Sequence, residues 1–127
     1  MPESASRPFA AYELAFLDAV ASRLDDGAAA ALREDAAAAA VAEESEGELL
    51  FVSLPEYQRP DDPAHRLVPF EGSMRTISGG AVSILVHLDV SLRLWEVEFI
   101  RWETPSSDPL DWSTLSIVAG PMPATCS

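Results

Sequence analysis

Residues 81–102, AVSILVHLDVSLRLWEVEFIRW, alternate apolar and polar side chains, and a period of two residues is typical of strands with one buried face. The alternation predicts one strand at Val82–Leu88 and the longest strand of the chain at Leu92–Trp102. In the longer strand it places two sets of side chains on opposite faces: Trp95, Val97 and Phe99 on one, and Leu94, Glu96 and Glu98 on the other. The phase is broken near both ends of this strand, which predicts a bulge or twist there. The connection Asp89–Ser91 has no glycine, so we expect it to be wider than a tight hairpin.

Further strands are predicted at 49–54, at 65–71 with a continuation at 74–78, and, as a last short strand or turn, at 110–118. The first of these is apolar on both faces, as in a central strand. The prolines of Pro55–Pro63 exclude a ladder strand there and predict a long surface loop. Pro69 lacks an N–H and favours a sheet edge. Ser78-Gly79-Gly80 predicts a turn, because glycine adopts positive φ without steric cost.

Two helices are predicted before the strands. An apolar stripe with a period of 3.6 residues runs through Arg7–Asp26 and predicts the first helix, with Gly27 as its end. The alanine-rich run Ala28–Ala42 predicts the second helix, because alanine has the highest helix propensity. Its carboxyl end carries Glu43, Glu44 and Glu46, the wrong charge for the helix dipole, so we expect fraying near Ala42 and termination at Gly47.

This order predicts an α+β fold in which the N-terminal helical pair packs on one face of a four- to five-stranded, mostly antiparallel sheet. The chain has 127 residues, which fits a single domain over 1–127. We expect residues 1–6 and 120–127 to be flexible tails. Cys126 lies in the second of these and is the single cysteine, which excludes a disulfide scaffold.

The charge balance excludes several classes of protein. There are 21 acidic residues against eight arginines and no lysine, a formal charge of −13, which argues against direct binding of nucleic acid. No segment approaches the roughly 20 consecutive apolar residues of a membrane span, so we expect no membrane partner. The amino terminus does not have the pattern of a secretory signal, and we therefore expect a cytoplasmic protein.

No assembled catalytic or metal motif appears in the sequence. Besides acids, only His65, His87 and Cys126 offer metal ligands, none of them in a C-x-x-C or H-x-x-x-H spacing. The nearest approach to a cluster is Asp61-Asp62 before His65, so we predict no metal and no cofactor. Glu96 and Glu98 project from one strand face about 6 to 7 Å apart, a separation that glycosidases use. His87 is the one plausible general base, and we predict no catalytic residues.

Recognition of a partner is better supported, because a large excess of negative charge attracts basic proteins over long distances. Tryptophan is the residue type most enriched at interface hot spots. The residues predicted to bind a partner are acids that attract it, Glu43, Glu44, Glu46, Glu96 and Glu98, and an anchor, Trp102 or Trp112. We expect a basic protein partner and a chain that is a monomer or a homodimer.

Over Phe9–Val118 the chain also resembles a group of known proteins. The resemblance lies in Ala31-Leu32-Arg33-Glu34-Asp35, a strand near Phe51, Val82–Leu88 and Leu92–Glu98. These segments resemble small bacterial α+β domains of unknown function, some of which resemble immunity proteins of toxin–antitoxin type competition systems. The resemblance implies an immunity-like inhibitor. The excess of negative charge and the lack of an assembled catalytic set favour a non-enzymatic binding protein. Two alternatives stay open: a small enzyme using Glu96, Glu98 and His87, and a structural subunit that self-associates through a sheet edge.

Overall fold

The computed structural model describes residues 6–44, 48–105 and 107–120. In these residues the chain forms two helices and seven strands: α1 (Ala11–Ala21), α2 (Asp26–Ala38), β1 (Ala40–Glu44), β2 (Leu49–Ser53), β3 (Arg66–Leu67), β4 (Phe70–Thr76), β5 (Ala81–Leu88), β6 (Leu94–Trp102) and β7 (Leu110–Ala119). All pairings are antiparallel, in the order β1-β2-β6-β5-β4-β7, and β3 pairs with β5. The α+β class is as predicted. The predicted number of four to five strands is wrong.

One additional strand comes from the alanine-rich run. The predicted helix Ala28–Ala42 ends at Ala38, and the residues after it form β1. Val41 pairs with Val52 of β2 and exchanges backbone hydrogen bonds with Arg7, at 2.9 Å and 2.6 Å, and its side chain is fully buried. These tertiary contacts override the helix propensity of alanine. Glu43 and Glu44 therefore lie on a strand instead of at a helix end, and Glu46 and Gly47 fall outside the described residues.

The first helix is shorter than predicted at both ends. Arg7 is extended because it forms a bridge with Val41, and α1 begins only at Ala11. The helix ends at Ala21, and residues 22–25 separate it from α2, which begins at Asp26. The Asp25 carboxylate caps α2 by accepting a hydrogen bond from the Ala28 N–H at 2.9 Å. Gly27, predicted as a helix end, therefore lies in the first turn of α2.

The β4–β5 and β5–β6 connections follow the sequence signals. Gly79 has a φ of 96° in the β4–β5 turn, a conformation that glycine adopts freely. The β5–β6 connection is longer and places Leu92 at a φ of 65°. In the β5–β6 pairing, His87 lies opposite Glu96 but Leu88 lies opposite Leu94, so Trp95 is an extra residue in β6. This is the bulge predicted near the start of the strand.

The bulge also corrects the predicted faces of β6. Because Trp95 interrupts the alternation, Leu94 is fully buried and does not share a face with Glu96 and Glu98. Trp95 does not share a face with Val97 and Phe99 as predicted, because its ring stacks on that of His65 instead.

Both helices contact the sheet through named side chains. The Phe16 ring of α1 lies against Gly72 of β4, so closely that a Cβ on Gly72 would be 2.7 Å from the ring. The Asp35 carboxylate of α2 accepts hydrogen bonds from Arg93 and from the Leu94 N–H at the start of β6. Apolar side chains from both helices and from strands β1, β2, β4, β5 and β6 form one buried cluster.

Residues 1–5 and 121–127, which include most of the predicted tails and Cys126, lie outside the described residues. Gly120 does not fit the predicted tail, because it is buried and its N–H donates to the Pro69 carbonyl at 3.0 Å. In the described part of the chain, neither helix has the length and apolar character that crossing a membrane requires.

Candidate functional site

The sheet register brings acidic and apolar side chains together on one face. Glu44, Leu49, Glu98 and Leu85 are successive cross-strand neighbours, and so are Ala42, Phe51, Glu96 and His87. Residues directly opposite each other in an antiparallel pair project to the same side. We call this surface the Glu98 face; it consists of Ala42, Glu44, Leu49, Phe51, Ser83, Leu85, His87, Glu96, Glu98, Ile100 and Trp102.

Four of the predicted partner-binding residues share the Glu98 face: Glu44, Glu96, Glu98 and Trp102. Trp102 is 54% exposed and its indole N–H donates to the Ser83 hydroxyl at 3.0 Å. Glu44 is exposed at the β1 edge, whereas the Glu96 side chain is only 12% exposed. The alternation along β6 thus correctly predicted a shared side for Glu96 and Glu98.

The other three predicted residues are not on this face. Glu43 lies opposite the buried Leu50, and its carboxylate accepts hydrogen bonds from Arg7 at 2.9 Å and 3.1 Å. Trp112 is half-buried, and its ring contacts Tyr12 of α1 and Phe99 of β6. Glu46 lies outside the described residues. The acids of β1 are therefore divided between the two sides of the sheet.

A cluster of two histidines and two glutamates occupies one end of the Glu98 face. The Nδ1 atoms of His65 and His87 are 3.3 Å apart, and the Glu96 Oε1 atom is 3.9 Å from the His65 Nδ1 atom. On its other side, His87 Nε2 is 2.9 Å from the Glu98 Oε1 atom. His87, Glu96 and Glu98 are residues of the alternative enzymatic interpretation, and the structure brings all three together.

His65 reaches this cluster from the proline-rich loop because an aromatic ring holds it. Its imidazole stacks on Trp95, with ring centroids 4.2 Å apart and planes 20° from parallel, and meets His87 edge-on. The Arg59 guanidinium lies 5.4 Å from the centroid of the Trp95 ring. The bulge that redirects Trp95 is thus what provides His65 with its stacking surface.

Arg59 is fixed in turn by a buried carboxylate. Asp89 accepts hydrogen bonds from the Tyr57 hydroxyl at 2.6 Å and from Arg59 at 3.1 Å, and its side chain is fully buried. Burial, the largest single effect, acts to raise the pKa of Asp89. Hydrogen bonds from Tyr57, the Arg93 amide and Arg59 outweigh burial and hold this pKa below its ordinary value. The loop that carries His65 is therefore tied to the β5–β6 connection by a charged hydrogen-bond network.

The sequence did not predict this cluster, because its members come from three separate segments. His65 was grouped with Asp61 and Asp62, but the Asp62 carboxylate instead accepts a hydrogen bond from the Ala64 N–H at 3.0 Å. No spacing rule links His65 with His87. The contact follows only from the pairing of β3 with β5, in which Leu67 lies opposite His87.

A cavity of about 380 Å³ lies away from this face, between α2 and the ends of β5 and β6. It is lined mainly by apolar side chains, among them Leu32, Leu88 and Leu94, and by none of the predicted site residues. The chain matches no protein family, and no curated protein or solved structure is detectably similar to it.

Proposed function

We propose that the chain is a non-enzymatic binding protein that neutralises or regulates a basic protein partner, and that the partner docks on the Glu98 face. The observation that carries this proposal is the register that places three acids, Glu44, Glu96 and Glu98, beside apolar side chains and the exposed Trp102. Protein interfaces combine an apolar, aromatic centre with a polar rim. We further propose that the chain is an immunity-like inhibitor that acts in the cytoplasm.

The distribution of positive charge supports the choice of a basic partner. Within residues 6–44, 48–105 and 107–120, five of the eight arginines form ion pairs with acids: Arg7, Arg33, Arg59, Arg93 and Arg101. These internal pairs leave the overall excess of 13 negative charges unchanged. A surface field of this kind accelerates association with a cationic partner and does so less at high salt.

We infer that the helical pair covers the side of the sheet opposite to the Glu98 face. The contacts of Phe16 with Gly72 and of Asp35 with Leu94 support this arrangement. Trp112 is used on the helix side against Tyr12, so Trp102 is the better anchor for a partner. The helices would then stabilise the sheet while its other face remains free to bind.

The test measures where a cationic probe binds. A lysine-rich peptide is titrated into the full chain at low salt, and backbone amide shifts are followed by NMR. We expect the shifts to concentrate at Glu44, Glu98 and Trp102. The variant Glu44→Lys/Glu98→Lys should bind the peptide more weakly and with a flatter salt dependence.

The matched control is Asp26→Lys/Glu34→Lys, which makes the same charge change on exposed positions of α2. This control should bind the peptide more tightly than the Glu44→Lys/Glu98→Lys variant. Equal weakening by both variants would mean that the acids act through net charge alone, and the Glu98 face would then have no special role. A natural partner captured at low salt should associate more slowly with the Glu44→Lys/Glu98→Lys variant than with the control variant.

A small enzyme is the second candidate, because His87 and Glu98 are in hydrogen-bond contact at 2.9 Å. A carboxylate that orients a histidine is a common element of general acid–base sites. An activity that depends on pH and is lost in Glu98→Gln would support this candidate. Self-association through β7, an edge strand of the sheet, would appear as a dimer in light scattering.

A further inference from the structure

We propose that His65, His87 and Glu96 bind a divalent transition-metal ion, Zn²⁺ being the best fit, and that Glu98 positions His87 as a ligand. One ligand atom from each of these three residues lies within 4.8 Å of the other two. This inference does not depend on the proposed partner, because it rests on the distances between the ligand atoms.

The two imidazoles have the separation that a shared metal requires. Two nitrogens bound to a tetrahedral Zn²⁺ at about 2.0–2.1 Å lie about 3.3–3.4 Å from each other. The Nδ1 atoms of His65 and His87 are 3.3 Å apart. The Glu96 Oε1 atom is 3.9 Å from His65 Nδ1, and the three ligand atoms lie within 4.8 Å of one another. Side-chain movements of up to about 1.5 Å therefore bring all three ligands to the same metal.

Glu98 selects the atom of His87 that faces the metal. Because its carboxylate accepts a hydrogen bond from the Nε2 side at 2.9 Å, the Nδ1 atom carries the lone pair. Metal-bound histidines usually donate their other N–H to a carboxylate in this way, and the outer carboxylate tunes affinity. Glu98 touches no metal in this arrangement and is a positioning residue.

Two of the three proposed ligands are held by strands of the sheet, and the third lies in a more exposed loop. His87 and Glu96 are cross-strand neighbours on β5 and β6, and each side chain is only 12% exposed. His65 is more exposed, at 33%, and Trp95 holds its ring by stacking. A fourth coordination position would therefore face solvent beside His65. A water molecule would occupy this position.

The ligand types decide the class of metal. Two imidazole nitrogens and one carboxylate oxygen suit Zn²⁺ and its first-row neighbours, whereas Ca²⁺ and Mg²⁺ prefer oxygen ligands. The same two nitrogens would otherwise share a proton in a direct histidine–histidine hydrogen bond, which binds no metal. The experiment separates these two states.

The test uses the full chain, stripped with a chelator and titrated with ZnCl₂ by calorimetry. We expect one equivalent to bind, and Co²⁺ to give the visible absorption of a four-coordinate nitrogen–oxygen site. His65→Ala should abolish this binding, and because His65 lies in a loop the variant should still fold. Glu96→Gln should weaken binding strongly, and Glu98→Gln should weaken it by about tenfold to hundredfold.

Two controls make the result specific. Glu34→Gln makes the same chemical change on an exposed position of α2, away from the Glu98 face, and should leave zinc affinity unchanged. Cys126→Ser removes the one thiol and should also bind one equivalent. The proposal is overturned if the wild type takes up no zinc, if His65→Ala binds as well as the wild type, or if Cys126→Ser alone loses binding.

Discussion

Replacing Asp35 should test whether α2 is held on the sheet by a charged clamp. The Asp35 side chain is 5% exposed and accepts hydrogen bonds from Arg93 Nε at 3.0 Å, from Arg93 Nη2 at 2.9 Å and from the Leu94 N–H at 3.1 Å. The substitution Asp35→Ala removes these acceptor contacts and the 3.2 Å contact of Arg93 Nε with Asp35 Oδ1. It leaves the Leu94 N–H without this acceptor near the buried start of β6.

The expected loss of stability depends on how deeply each partner of the Asp35–Arg93 ion pair is buried. Removing one partner of a fully buried ion pair costs about 3–5 kcal/mol. The Arg93 side chain is 37% exposed and can regain water, so we expect Asp35→Ala to cost about 2–3 kcal/mol. Asp35→Asn keeps the volume and one acceptor oxygen, and should cost about 1–2 kcal/mol.

The assay is urea unfolding followed by circular dichroism, with variants compared at equal m-value. Glu34→Ala is the matched control, because Glu34 is the preceding, exposed residue of α2 and should change stability by less than about 0.5 kcal/mol. A double-mutant cycle with Arg93→Ala should give a coupling of at least about 1 kcal/mol. A cost for Asp35→Ala as small as that of the control, or no coupling in the cycle, would refute the clamp.

Two further predictions concern glycine packing and acid stability. Gly72→Ala should destabilise the protein by about 1–3 kcal/mol in thermal unfolding, because its Cβ would lie 2.7 Å from the Phe16 ring. A Cβ on Gly27, in the first turn of α2, would make only an ordinary contact, 3.7 Å from Asp25 Oδ1, so Gly27→Ala should stabilise the protein by about 0.5–1 kcal/mol. Destabilisation by both substitutions would contradict the packing argument. The hydrogen bond from the Thr76 hydroxyl lowers the pKa of Asp108, so this carboxyl contributes stability above the ordinary aspartate pKa of about 3.9. That contribution is lost as the pH falls through the lowered pKa of the folded state. Asp108→Asn should therefore flatten the acid side of a profile of unfolding free energy against pH, measured by urea unfolding. An unchanged profile would exclude this role of Asp108.

The fold was predictable where alternation and turn residues agree. β5 and the middle of β6 follow directly from their period of two, and the Gly79 turn follows from its composition. β1 was not predictable, because Ala40–Glu44 continues an alanine-rich run with high helix propensity. Only its pairing with β2 and with Arg7, a contact between distant residues, makes it a strand.

The candidate site was predictable only along a single strand. The alternation in β6 correctly placed Glu96 and Glu98 on one side, because side-chain direction is local to the strand. The neighbours of these acids depend on register, and the extra residue Trp95 decides which residue of β5 lies opposite Glu96. His65 adds a loop contact that spans 22 residues of sequence to His87, and no local pattern carries that information.

Glu96 belongs both to the proposed docking surface for a basic partner and to the proposed metal site, so binding at one site should affect binding at the other. A divalent ion bound by Glu96 and the two histidines would add two positive charges to the face that is proposed to attract a basic partner. At a distance of about 10 Å in water, two charges repel a unit cation by about 0.8 kcal/mol, roughly a fourfold change in affinity. By linkage, the partner would weaken metal binding by the same factor. The Glu98 face would therefore bind a basic partner most tightly in its metal-free form, with Glu44 and Glu98 providing the attraction that the metal does not cancel.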